Sequence, residues 1–281
     1  MPGDSERVKP MKQRYSVEDL QYLMSRLRDP ESGCPWDLKQ TFASIVPSTI
    51  EEAYEVAEAI EREDFAHLRE ELGDLLFQVI FYAQLGCERQ HFDFPGIVDT
   101  LVRKLVRRHP HVFPSGDLYG DNQNVAIDEQ QVKANWETIK AAERESKGES
   151  GTLGGVAAGL PALTRALKLQ KRAAQVGFDW PAIDGVLEKV EEELRELREA
   201  IASGDTAHAR EELGDLLFSC VNVARHLSVD PETALRQCNR KFEQRFGAVE
   251  TVLAERNQRP SDVSLEELDQ LWERAKNAMT P

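Results

Sequence analysis

The sequence predicts an all-α fold, arranged as two tandem helical-bundle domains joined by a glycine-rich linker. Three observations carry this expectation. Apolar residues recur at three- and four-residue spacing along most of the chain, and no stretch shows the period of two that a half-buried strand needs. One set of helical motifs occurs twice, at an offset of 141 residues. The length of 281 residues suits two domains, and a 41% hydrophobic share is enough for more than one core.

The elements follow in order. Residues 16–28 put Leu20, Leu23, Met24 and Leu27 on one stripe behind an N-cap at Ser16. Residues 48–62 and 65–86 read as two longer amphipathic helices. Asp93 followed by Pro95 starts another helix, which stops at His109-Pro110 because a residue before proline avoids the helical region. Residues 114–125 read as loop and 128–145 as helix. The run 146–161 holds five glycines and two serines, too many for a stable helix. Helical signals resume at 161–175, 184–202, 206–227, 231–257 and 265–278. Asp230-Pro231 repeats the cap-then-proline start, and Ser264 with Glu267 forms a capping-box pattern. The expected organisation is a disordered tail at 1–15, an N-terminal domain at 16–145, a linker at 146–160 and a C-terminal domain at 161–281.

Asp+Glu 50 against Lys+Arg 35 gives a formal net charge of -15. That excess argues against a chain that grips DNA or RNA through phosphates, and it suits acidic sites for cations. No apolar run approaches the roughly 18 residues of a membrane span. The opening MPGDSERVKPMKQRY lacks the apolar core of a signal peptide. Cys34, Cys87, Cys220 and Cys238 are scattered without a CxxC, so a reducing cytoplasm is the expected compartment.

The repeat singles out a subset of residues. Glu51, Glu52 and Glu55 match Glu192, Glu193 and Glu196, and His67 matches His208. The run Glu70-Glu71-Leu72-Gly73-Asp74-Leu75-Leu76-Phe77 recurs unchanged at 211–218. With small gaps, Lys104 and Arg108 fit Lys241 and Arg245, and Trp136 with Lys140 fits Trp272 with Lys276.

Glu52 and Glu55 lie three apart, so on a helix they share a face, as do Glu71 and Asp74 on the next helix. The short connection pairs the two helices antiparallel, so four carboxylates converge at the edge of the seam. Such a group repels itself unless cations or protons intervene. An all-oxygen ligand set favours a hard cation, Mg²⁺ or Mn²⁺, which completes its shell with substrate phosphates. An acidic i,i+3 pair on a helix is usually only a solvated face. Two copies with the same 16-residue separation, Glu55 to Glu71 and Glu196 to Glu212, favour metal instead. A di-iron bundle needs two Glu-x-x-His motifs, and only Glu88-x-x-His91, outside the repeat, has that form. Gly73 and Gly214 each cost about 1 kcal/mol in mid-helix against alanine, so they point to close helix approach or to room for a ligand.

Lys241 with Arg245, and Lys104 with Arg108, share helix faces suited to phosphate capture or to surface ion pairs. Trp272 and Trp136 suit stacking on a base or packing in a core. His67 and His208 fit structural roles near helix starts, and His109-Pro110-His111 fits a helix end with cations at its C-terminal dipole.

EExxE followed by ExxD, with GCPWD (Gly33 to Asp37) before Gln40-Thr41, RRHPHVF (Arg107 to Phe113) and VGFDW (Val176 to Trp180), resembles the MazG nucleoside triphosphate pyrophosphohydrolases over essentially the whole chain. The resemblance implies tandem all-α MazG domains and Mg²⁺-dependent hydrolysis of NTPs and dNTPs to monophosphate and pyrophosphate. It also implies a homodimer, with the main activity in the C-terminal domain. By position it implies Glu193, Glu196, Glu212 and Asp215 as catalytic metal ligands, with Glu192 and Glu211 orienting water or ligands. It implies phosphate contacts at Lys189, Lys241 and Arg245, and a nucleotide contact at Trp272. The N-terminal copy keeps its own metal set, Glu52, Glu55, Glu71 and Asp74, but has Ser48 where the C-terminal copy has Lys189.

The reaction expected is metal-assisted hydrolysis with broad base tolerance, since stacking and phosphate contacts read little of the base. A non-catalytic nucleotide sensor that signals to a partner, and a helical adaptor with surface acids, are the rival readings. A regulatory protein partner is left open.

Overall fold

The computed structural model describes residues 14–120, 128–146, 148 and 151–279. Among them the regular elements are all helical: α1 (Val17–Leu27), α2 (Pro35–Lys39), α3 (Phe42–Glu61), α4 (Phe65–Glu88), α5 (Phe94–Arg108), α6 (Glu129–Ser146), α7 (Ala162–Gln175), α8 (Ile183–Ser203), α9 (Thr206–His226), α10 (Pro231–Glu255) and α11 (Leu265–Ala278). A short 3-10 turn, Pro260–Asp262, precedes α11. The chain forms two compact units, Met1–Ile139 and Lys140–Pro281. The expected tail lies mostly outside the described residues, as do parts of the 114–125 loop and of the linker.

Helix starts follow the capping chemistry. Ser16 and Asp19 form a full capping box on α1. Asp64, Asp93, Asp205 and Asp230 cap α4, α5, α9 and α10 through their side-chain oxygens. At α11 only half the expected box forms. Ser264 accepts from the Glu267 N–H, while the Glu267 carboxylate turns to Arg256 at 2.9 Å.

Two features differ from the sequence expectation. Helix α3 begins at Phe42 rather than 48, because Thr41 and Ser44 cap it reciprocally at 2.8 and 3.2 Å. Pro47 lies inside it and forgoes the one hydrogen bond that its missing N–H would have made. Short α2 was not anticipated; Pro35 at its first turn nucleates it.

In the N-terminal unit α3 and α4 form a helical hairpin, with α1 and α5 packed on α4. Met24, Ile45, Ile80, Phe81 and Leu85 make its core. Arg28 is buried there and forks onto Glu88 at 2.8 and 2.7 Å. In the C-terminal unit α8 and α9 form the matching hairpin, α7 packs on α9 and α10, and α10 pairs with α11. Its apolar cluster lies between α10 and α11, on Val249, Leu253, Leu271 and Ala275. No described helix is long and apolar enough to cross a membrane.

Candidate active site

Each hairpin brings three glutamates together. Ligand oxygens of Glu52, Glu55 and Glu71 lie within 4.8 Å of one another, and so do those of Glu193, Glu196 and Glu212. The i,i+3 spacing sets two of them one turn apart on the first helix, and the tight connection swings the third onto them from the second. Glu71, Glu193 and Glu212 are buried. Asp74 and Asp215 stand exposed one turn beyond, outside the close triplets. Their charges still act: burial first, then Asp74, Glu55 and Glu71, raise Glu52, and Asp215 is among the groups that raise Glu212.

Burial is the leading cause that pushes Glu52, Glu71 and Glu212 above the ordinary carboxylate range, with neighbouring acids adding to it. Carboxylates packed so that ionisation costs energy are suited to a cation, which removes that cost. All donors are oxygens, the set a hard divalent ion prefers.

The two histidines do more than mark helix starts. His67 Nε2 lies 2.7 Å from Glu71 Oε1, and His208 Nδ1 lies 3.3 Å from Glu212 Oε1. Each sits one turn before the buried glutamate of its own helix, a spacing visible in the sequence. Lys189 bonds Glu193 at 2.8 Å and Glu192 at 3.2 Å, and the Glu193 contact raises the lysine well above its ordinary value. Glu211 points to solvent.

A cavity of about 440 Å³ opens beside the C-terminal cluster, bordered by Lys189, Glu193 and Asp215. Phe178, Asp179 and Trp180 of the VGFDW motif all line it. Asp179 is held below its ordinary range by Arg225, whose Nη1 donates to it at 2.9 Å. Lys241, Arg245 and Trp272 are not among the lining residues. Lys241 is exposed on α10. Arg245 lies over the Trp272 ring at 5.9 Å, with its Nε–H buried and unpartnered. Trp272 also packs on Phe242 at 5.1 Å and against the α10–α11 apolar cluster.

The remaining candidates sit as simpler readings had them. Glu88 pairs with Arg28 at 2.7 Å. His109 caps the end of α5, with Nδ1 2.7 Å from the Leu105 carbonyl oxygen, and its ring meets Trp136 edge-on at 5.3 Å. An added Cβ at Gly73 or Gly214 would meet nothing within 4 Å, so these glycines mark open space, not close helix approach.

A family model for the MazG nucleotide pyrophosphohydrolase domain matches residues 40–113 and 183–249. The nucleoside triphosphate pyrophosphohydrolase of Escherichia coli (strain K12) is 49% identical over 264 residues, 92% of this chain and 97% of the relative. The nucleoside triphosphate pyrophosphohydrolase/pyrophosphatase MazG of Thermotoga maritima is 45% identical over 259 residues, 92% of this chain and 95% of its own. The crystal structure of a mazG-related protein from Thermotoga maritima aligns with 44% of this chain and 99% of its own, at 26% identity and a TM-score of 0.33.

Proposed function

This chain belongs to the MazG nucleotide pyrophosphohydrolase family, and from that premise we propose that it hydrolyses nucleoside triphosphates, NTP and dNTP alike, to monophosphate and pyrophosphate. The observation that carries the proposal is the C-terminal glutamate triplet, with Glu193 and Glu212 buried and Glu193 lining a cavity. We place the main activity there, in a domain spanning 161–281, with 16–145 as the N-terminal domain and 146–160 as linker.

Glu193, Glu196 and Glu212, with Asp215 one turn on, would hold Mg²⁺, or Mn²⁺. When bound, the ion would supply Lewis-acid polarisation of the phosphate oxygens and would lower the pKa of an attacking water. The chain's own residues do the rest. Lys189 bridges Glu192 and Glu193, which fixes the orientation of Glu193 and sets a cation at the cavity edge for a phosphate oxygen. His208 holds Glu212 in place from the preceding turn. Glu211 is free to orient water from the exposed face. Lys241 and Arg245 take phosphate oxygens, and the unpartnered Arg245 Nε–H supports that role. Trp272, beneath Arg245, contacts the nucleotide. The N-terminal Glu52, Glu55, Glu71 and Asp74 form a second metal site of lesser or no turnover.

We further propose a homodimer. Leu187, Leu194 and Ile201 recur every seven residues on α8 and are exposed, as are Leu213 and Leu217 on α9. A second copy covers such a stripe at low cost. Four free cysteines fit a reducing cytoplasm.

Phosphorus NMR of ATP and several dNTPs tests the reading, with Mg²⁺ and with EDTA. Pyrophosphate and monophosphate should form only with Mg²⁺. They should vanish in Glu212→Gln and persist in Glu52→Gln. Loss only in Glu52→Gln would move the site to the N-terminal unit. Orthophosphate and diphosphate would mean a different cut, and no turnover of any nucleotide would favour a sensor.

A further inference from the structure

The C-terminal cavity has a polar feature that the acid cluster does not use. Gln170 on α7 is 7% exposed and lines the cavity. Its Nε2–H donates to the Phe218 carbonyl at 2.8 Å, which holds the amide in one orientation. Its Oε1 is buried with no hydrogen-bond partner. Buried amide oxygens are nearly always satisfied, because leaving one without a donor is costly. On a cavity wall, such an oxygen calls for a ligand that brings the donor.

The rest of the cavity describes that ligand. Phe178, Trp180 and Phe218 give it aromatic walls. Its volume of about 440 Å³ falls within the roughly 300–1,000 Å³ of small-molecule pockets. Flat faces and one unmet acceptor suit a flat ring with an N–H on its edge. Lys189, Glu193 and Asp215 border the same space, so a ring bound there lies next to the carboxylates that take the phosphates.

The repeat shows that the space is built rather than left over. At the shared offset of 141, Asn222 stands where the N-terminal unit has Phe81. Phe81 is 1% exposed and fills its core. Asn222 instead lines the cavity, and its Oδ1 accepts from Arg225 Nε at 2.8 Å.

We infer that this cavity is the nucleobase pocket and that Gln170 Oε1 is its base-reading acceptor, favouring bases with an amine at the 4- or 6-position, cytosine and adenine, over uracil, thymine and guanine, which carry a carbonyl there. The inference rests on the reading that the site takes nucleoside triphosphates. With the same ring position facing it, the cytosine N4–H satisfies Oε1, whereas the O4 carbonyl of uracil sets two acceptors face to face and leaves the N3–H one ring position away. The aromatic walls accept any base, so the outcome is a preference within broad tolerance.

CTP and UTP share sugar, phosphates and ring size, and differ at that edge. The full chain with Mg²⁺ should favour CTP over UTP about tenfold in kcat/KM. Gln170→Leu should bring the ratio to about one by lowering CTP and sparing UTP; a purely structural role would lower both together. A second measurement needs neither turnover nor the variant: tryptophan emission titrated with CMP and with UMP, the signal being lost in Trp180→Phe. CMP should bind more tightly. Equal kcat/KM for the two triphosphates, equal binding of the two monophosphates, or a ratio unmoved by Gln170→Leu would overturn the inference. If no triphosphate is hydrolysed, the proposed function fails, and the CMP and UMP titrations still decide the pocket.

Discussion

In the N-terminal unit Phe81, Met24 and Ile45 close the space where α1, α3 and α4 meet. In the C-terminal unit the matching positions of α8 and α9 hold Val186 for Ile45, Ser219 for Gln78 and Asn222 for Phe81, and a cavity opens there. The glutamate triplets beside the two spaces are the same in residue type and spacing. A duplicated helical hairpin can therefore keep its charge geometry while a few interior side chains decide whether an organic ligand fits beside it. The cation partner differs as well. Lys189 grips Glu193, whereas its counterpart Ser48 offers no charge to Glu52, which burial and its acidic neighbours hold above the ordinary range.

The sharpest test of the comparison removes one buried ligand from each copy. Glu212→Gln should cut pyrophosphate release by about 10³-fold or more, with Glu52→Gln near wild type. Equal losses would mean that both copies turn over. Next in size is the exchange of filler residues. Asn222→Phe installs the N-terminal solution in the C-terminal unit, and it should lower kcat/KM for every triphosphate by about 10²-fold. Mg²⁺ binding, followed calorimetrically, should persist because the glutamates are untouched. Activity unchanged by the ring would show that substrate does not use the cavity.

A smaller effect separates the units by stability. Arg28 is nearly buried and its partner Glu88 is partly exposed. Glu88→Gln leaves a guanidinium without its counter-charge and should cost the N-terminal unit about 2 kcal/mol near neutral pH. Hydrogen exchange of the α4 amides reads that loss locally. Arg28 holds Glu88 below its ordinary value of 4.5. The ion pair's contribution is thus fully present above pH 4.5 and is lost as pH falls through the lowered value. The gap between wild type and variant should therefore shrink only in acid below that point. A gap that stayed constant would show that the charge on Glu88 plays no part.

Much of the architecture was legible because it is local. Asp93 with Pro95 and Asp230 with Pro231 carry their own stop-and-start chemistry, and both helices begin there. Of the four carboxylates expected to converge in each copy, the three glutamates do, because helical spacing and a short connection leave them little choice, while Asp74 and Asp215 stand exposed outside the triplets. The start of α3 was hidden by Pro47, which reads as a boundary until the Thr41–Ser44 box is recognised. The cavity was harder to foresee, since it depends on how α7 packs against α9, which no single-helix pattern reports. The exchange of Phe81 for Asn222 was nevertheless present in the repeat. Lys241, Arg245 and Trp272 share one region of α10 and α11, but nothing in their spacing told that the cavity would be walled by other helices.

The smallest expected effect lies at the turn of the two hairpins. Glu63 and Gly204 occupy the same place in the repeat, and both have positive φ, 56° and 76°. Glycine adopts that conformation freely, whereas a residue with a Cβ is strained by about 1–2 kcal/mol. Glu63 holds it because its N–H bonds the Ile60 carbonyl at 3.1 Å and the next N–H, of Asp64, reaches Ala59 at 3.0 Å, closing α3 before Asp64 caps α4. Glu63→Gly gives the N-terminal hairpin the C-terminal turn. Glycine also loses more backbone entropy on folding, so the net gain should be about 0.5–1 kcal/mol. Gly204→Ala should cost the other hairpin a similar amount. Denaturant midpoints for both variants, with pyrophosphate release as a control, test the pair. If Glu63→Gly failed to stabilise while Gly204→Ala destabilised, the Glu63 side chain would be supplying a contact that offsets its own strain, and the two turns would not be equivalent.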